Sequence, residues 1–84
     1  LTLNKSPSSD AIRHVMHNRA DIERSHRCGC IDCRKIFPAS EVDEWIDDGK
    51  TAICPHCGTD ALIGDAAGYK LTRQFLNELN KQWF

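Results

Sequence analysis

The apolar positions of this chain fall into short groups separated by turn-forming residues. Ile12, Val15, Met16 and Ile22 recur at helical spacing behind Ser8, Ser9 and Asp10, any of which can cap a helix. The spacing predicts a helix over about 9–25, preceded by a loose lead-in over 1–8. Residues 34–38 hold Ile36 and Phe37 and read as a short extended stretch. Ser40 offers the next cap, Glu41 and Asp43 suit a helix N-terminus, and Val42, Trp45 and Ile46 share one helical face before Gly49. This predicts a second, short helix over about 41–48. Residues 51–53 and 61–63 are β-prone and read as the two arms of a small hairpin. Thr72 caps a final helix over about 72–83, whose Phe75, Leu76, Leu79 and Trp83 make an apolar face. Phe84 falls off that stripe.

Between these elements lie two cysteine hooks, Cys30-Ile-Asp-Cys33 and Cys54-Pro-His-Cys57, with 20 residues between them. Two intervening residues let both thiolates of a hook point at one ion. A pair of hooks completes a tetrahedral four-thiolate site, so the candidate ligands are Cys30, Cys33, Cys54 and Cys57. The expected ion is a single structural Zn2+, because thiolates are soft donors and four of them close the coordination shell. Cys28 stands two residues before Cys30 and is an alternative ligand; as a small buried side chain it needs no such role. His56 lies inside its hook, where side chains point away from the metal, and His26 reaches it only if the first hook rearranges. His14 and His17 are three apart on the predicted first helix, with no third partner in view.

The chain has 84 residues, which makes one domain, taken here as 9–84 with hooks at 28–33 and 54–58. A domain this small has a marginal apolar core, and a bound metal supplies the missing stability. The expected fold is a small α+β zinc-bound domain. It is a ribbon-like pair of knuckles with an inserted short helix, flanked by N- and C-terminal helices. Five cysteines cannot all pair as disulfides, residues 1–9 hold no apolar secretory core, and no 18-residue apolar run exists. Together these point to the reducing cytoplasm.

The formal charge of −1 conceals segregation. Residues 1–36 carry seven basic and four acidic groups; residues 37–65 carry Lys50 against seven acids; residues 66–84 carry three basic groups against Glu78. The acidic segment, with Glu41, Glu44, Trp45, Asp47 and Asp48, is a candidate docking surface for a partner protein. The basic approach to the first hook, with Arg24, Arg27, Arg34 and Lys35, is the alternative, a nucleic-acid contact surface.

The hooks resemble those of zinc ribbons and treble-clef knuckles. At finer grain the chain resembles a group of short bacterial proteins described as cytoplasmic or hypothetical. The resemblance rests on Cys28-Gly-Cys-Ile-Asp-Cys33, Ile36-Phe37, Glu44-Trp45-Ile46-Asp47, Thr51-Ala52-Ile53-Cys54-Pro-His-Cys57-Gly58, Ile63-Gly64-Asp65 and Gly68-Tyr69, and spans about 25–84. It implies a compact bacterial zinc-binding domain and brings no activity with it.

Catalysis has little to stand on. Four closed thiolates leave no open metal position, and no nucleophile, base and orienter recur together. The His-x-Glu and Pro-Cys-x-x-Cys pattern of the zinc deaminases is missing, and so is the βαβ context of a thioredoxin-like CxxC. The expectation is a non-enzymatic protein that binds a partner protein as an inhibitor, an immunity or antitoxin-like factor, or an adaptor. Nucleic-acid binding is the alternative, and neither a membrane nor a small-molecule substrate is expected.

Overall fold

The computed structural model describes residues 10–84. The lead-in expected over 1–8, and the start of the first predicted helix, lie outside them. The periodic stretch after Asp10 does not form one helix. It forms a 3-10 turn, Ile12–Val15, and a separate short helix α1, Arg19–Arg24. Between them Met16 is extended and His17 takes a left-handed φ of 48°.

Asn18 accounts for the break. It is 2% exposed, and its side-chain amide donates to the carbonyls of His14 at 3.1 Å and Leu62 at 2.8 Å. Its side-chain oxygen accepts from the amide of Ala52 at 3.0 Å. Asparagine competes with the helix by bonding to backbone groups elsewhere, and here two of its three bonds are to distant strands. The buried backbone groups of Ala52 and Leu62 gain partners that a continuous helix would deny them.

Strand β1, Arg27–Cys30, is the centre of a three-stranded antiparallel sheet. Strand β2, Ile36–Pro38, lies on one side and strand β5, Leu62–Gly64, on the other, with Cys28 opposite both Phe37 and Gly64. A second sheet is the antiparallel hairpin of β3, Trp45–Ile46, and β4, Thr51–Ala52.

That hairpin replaces the helix predicted over 41–48. Only a 3-10 turn, Ala39–Glu41, precedes it. Asp47, Asp48 and Gly49 all take positive φ, at 55°, 57° and 81°. Asp48-Gly49 is a favoured dipeptide for tight hairpin turns, so the glycine read as a helix stop is a turn residue instead. The turn is tied down by the Thr51 hydroxyl, which donates to the Asp47 carboxylate at 2.8 Å. Arg19 locks the hairpin onto α1: it donates to the Gly49 carbonyl at 2.8 Å and sits 4.4 Å from the Trp45 ring centre. The arms expected at 51–53 and 61–63 are likewise re-partnered. β4 pairs with β3 and β5 with β1, so the second hook carries the chain from one sheet to the other.

Helix α2, Arg73–Trp83, starts where the sequence predicts, with the Thr72 hydroxyl accepting from the Phe75 amide at 3.0 Å. Leu76 and Leu79 are fully buried. Leu76 packs over β1 at Gly29, where an added Cβ would meet its Cδ1 at 2.9 Å. The apolar face ends one turn early: Trp83 is 47% exposed, and Phe84 is 62% exposed. In its last turns the helix is pinned by polar contacts instead, with the Asn80 side chain donating to the Ile31 carbonyl at 2.9 Å and the Asp32 carbonyl at 3.3 Å. The core gathers Ile22, Cys28, Ile31, Phe37, Leu62, Ile63, Leu76 and Leu79 between the first sheet and both helices. The architecture is thus a small α+β domain of two antiparallel sheets and two helices. Among the described residues no helix is long and apolar enough to cross a membrane.

Replacing Asn18 with Ala strands the buried amide of Ala52 and the carbonyl of Leu62. The expected loss is roughly 2–4 kcal/mol of folding free energy, read from urea unfolding of the metal-loaded protein. A loss below about 0.5 kcal/mol would show that the Asn18 bonds do not hold the two sheets together.

Candidate metal centre

The two hooks are built by matching backbone hydrogen bonds. The amide of Arg34 donates to the Cys30 carbonyl at 2.8 Å, and that of Gly58 to the Cys54 carbonyl at 2.9 Å. The amide of Cys30 donates to the Lys35 carbonyl at 3.0 Å, and that of Cys54 to the Thr59 carbonyl at 2.8 Å. In each hook the residue after the second cysteine is left-handed, Arg34 at φ 65° and Gly58 at φ 82°. Each first cysteine also accepts an amide on sulfur at 3.4 Å, from Cys33 to Cys30 Sγ and from His56 to Cys54 Sγ.

These turns aim four sulfurs at one point. The Sγ atoms of Cys30, Cys33, Cys54 and Cys57 lie within 4.8 Å of one another. The Cys30–Cys57 separation is 3.6 Å and the Cys33–Cys54 separation 3.9 Å. A tetrahedron with metal–sulfur bonds of about 2.3 Å has sulfur–sulfur edges of about 3.8 Å. The cysteines therefore fit a metal ion with four thiolate ligands and could hold one. Cys28, the alternative ligand, is outside the group. It lies within β1, buried between the two neighbouring strands.

The site resists negative charge unless a cation shares it. Burial raises the pKa of Cys30 and of Cys54. Burial, with Asp65 and Cys54 nearby, pushes the Cys28 thiol up to about 12. Cys57 goes the other way: burial pushes it up, but the Thr59 hydroxyl and amide, with neighbouring thiols, bring it down to about 7. The Thr59 hydroxyl stands 3.1 Å from Cys57 Sγ and 3.6 Å from Cys30 Sγ. A divalent ion entering near neutral pH must displace the protons of Cys30 and Cys54, so acidification opposes its capture.

The other residues singled out in the sequence are dispersed or re-employed. His56 points away from the sulfurs; its Nε2 is 2.9 Å from Glu41 and its ring lies 4.8 Å from that of Phe37. His26 is exposed and its backbone amide donates to Asp65. His14 pairs with Asp21 at 2.9 Å, and the left-handed turn at His17 removes the shared helix face of these two histidines. Glu41, Glu44, Trp45, Asp47 and Asp48 do not form one helical face, because the helix is absent. Glu41 is bound to His56, Asp47 accepts from Thr51, Trp45 is half-buried beside Arg19, and Glu44 and Asp48 are exposed at separate points of the hairpin.

The basic set divides too. Arg24 pairs with Asp21 at 3.1 Å, and Arg27 is exposed on β1. Arg34 and Lys35 instead line an open groove of about 560 Å³ with Arg73, floored by Ile36, Phe37 and Pro38. Arg73 escaped notice because no local pattern links the start of α2 to the first hook; only packing brings them together.

Comparison with protein-family models, with curated proteins and with solved structures gives no match.

Metal content discriminates the ligands. Cys30→Ala is expected to lose the bound ion, whereas Cys28→Ala keeps about one equivalent at some cost in stability. Elemental analysis of the purified variants reads this directly. The opposite pattern would move the first hook's ligand from Cys30 to Cys28.

Proposed function

We propose that this chain is a non-enzymatic module clamped by one structural zinc ion, and that it binds nucleic acid through the groove beside the first hook. The carrying observation is the cationic lining of that groove. Arg34, Lys35 and Arg73 meet there, and none of the three has a carboxylate partner among the described residues. Arg19 and Arg24 are by contrast paired, with Glu23 at 2.9 Å and Asp21 at 3.1 Å, whereas Arg13 and Arg27 stand apart from the groove without such a partner among the described residues. Cations left unpaired together in a concave, half-apolar surface suit phosphate groups, whose release of counterions drives association.

Zinc fits the donor set. Four soft thiolates and no carboxylate make a closed, redox-inert tetrahedral shell. Such a shell has no position for a substrate or an activated water. The imidazole of the neighbouring His56 is bonded to Glu41 at 2.9 Å. This supports a clamp that holds recognition surfaces rigid, and no chemistry of its own.

A partner protein is the second reading, favoured by one observation. Trp83 and Phe84 are both large and well exposed at the end of α2, as aromatic anchors of interfaces are. The acidic surface first expected to carry that reading lacks its helix.

Fluorescence anisotropy with labelled single- and double-stranded oligonucleotides tests the first reading. Binding should weaken with salt, with a log–log slope of about −2 to −3 if three cations each meet a phosphate. The double substitution Lys35→Glu, Arg73→Glu should weaken it at least about tenfold. No binding at low salt, or a response flat in salt, would remove nucleic acid and leave the partner protein.

A further inference from the structure

The two hooks share a backbone but differ at one residue, and that difference is informative. Both turn through a left-handed residue directly after their second cysteine. The second hook uses Gly58, which occupies that region without penalty. The first uses Arg34, whose Cβ makes the same conformation cost on the order of 1 kcal/mol. Glycine would build the first hook better. The arginine is therefore not explained by the turn.

Its side chain has unfinished business. Arg34 is half-buried, and its Nε is a buried donor with no hydrogen-bond partner in the described structure. It is the one buried side-chain nitrogen or oxygen there in that condition. A buried guanidinium nitrogen without an acceptor is costly, and native structures rarely tolerate one without cause. The same arginine lines the groove that also holds Lys35 and Arg73. His56 and Glu41 also line that groove and are bonded to each other. The floor beside the three cations is apolar, from Ile36, Phe37 and Pro38.

The structure assigns to Arg34 the role of a phosphate-reading residue, and to the groove a seat for a single phosphate group. With the side chain turned so that its buried Nε reaches the groove, the guanidinium fork hydrogen-bonds two phosphate oxygens, which a point charge cannot do. Lys35 and Arg73 add charge around the same anion, and the apolar floor takes the sugar or base attached to it. This seat rests on the nucleic-acid reading above for its natural ligand, but the oxyanion chemistry stands without it. The strained backbone at Arg34 is then a cost of placing the fork at the mouth of a metal-held turn.

Two variants separate geometry from charge and from folding. Arg34→Lys keeps the charge and the backbone strain but lacks the fork. Arg34→Gly removes the side chain and relieves the strain, so it should melt at the wild-type temperature or above. The zinc-loaded proteins are compared by anisotropy with a short single-stranded DNA. They are also titrated with inorganic phosphate, followed by the Arg34 Nε–H signal in nitrogen-15 NMR. The expected result is a loss of about tenfold or more in DNA affinity for both variants, with Arg34→Gly no less stable, and a shift of the Nε–H signal on adding phosphate.

Arg34→Lys binding DNA as wild type does would overturn the phosphate seat while leaving nucleic-acid binding in place. A phosphate-induced shift without any DNA binding would keep the seat and end the nucleic-acid reading. An Nε–H signal indifferent to phosphate, with no DNA binding, would end both.

Discussion

Four sulfur atoms gathered within 4.8 Å, from turns that belong to different sheets, are a demanding arrangement for a chain of this size. As thiolates they repel one another; as thiols, two of them are held in surroundings that favour the proton. A shared cation would resolve the conflict and would join the end of β1 to the segment that follows β4. The two hooks also fix where the chain enters the first sheet. The first hook is the turn that starts β2, and the second delivers the chain back to β5 beside β1. Asn80 then fastens α2 to the carbonyls of Ile31 and Asp32 inside the first hook.

Asn18 is a second link between the two sheets. Where the sulfurs join the sheets through a metal site, Asn18 joins them through an amide, reaching Leu62 on β5 and Ala52 on β4. With Arg19 holding the β3–β4 turn, the small second sheet is secured by directional contacts alongside the full burial of Thr51 and Ala52. This is how a domain with a thin apolar core keeps two sheets in a fixed relation: a few directional interactions carry what area alone would not.

What could be read from the sequence follows from the range of each interaction. The hooks are legible because metal-ligand spacing is a local property of the chain, and α2 because Thr72 and the Leu76–Leu79 stripe are local as well. The hairpin was misread because Gly49 serves equally as a helix terminator and as a turn residue; Asp48 before it was the signal for the turn. The first helix was overextended because Asn18 makes its decisive bonds to residues more than thirty positions away. Trp83 fits the stripe of α2 by spacing, yet it stands 47% exposed at the end of the helix. The groove was half legible: Arg34 and Lys35 adjoin the first hook, while Arg73 arrives by packing. Aligning Cys33-Arg34 with Cys57-Gly58 would have exposed the odd residue at the left-handed position.

The passage of the second hook from one sheet to the other also dictates an order of assembly. The β1–β2 ladder with the first hook is local and closes a short loop, so it forms early and positions two sulfurs together. The second pair joins only after the chain has made the excursion through the β3–β4 hairpin, bringing together partners 21 and 27 positions apart. Half of the site is thus a preformed claw and half is a latch. A chain that folds in this order would expose a two-thiol claw, open to any soft metal ion, before the latch exists. Pulse-labelled hydrogen exchange that protects β5 before β1 and β2 would contradict this order.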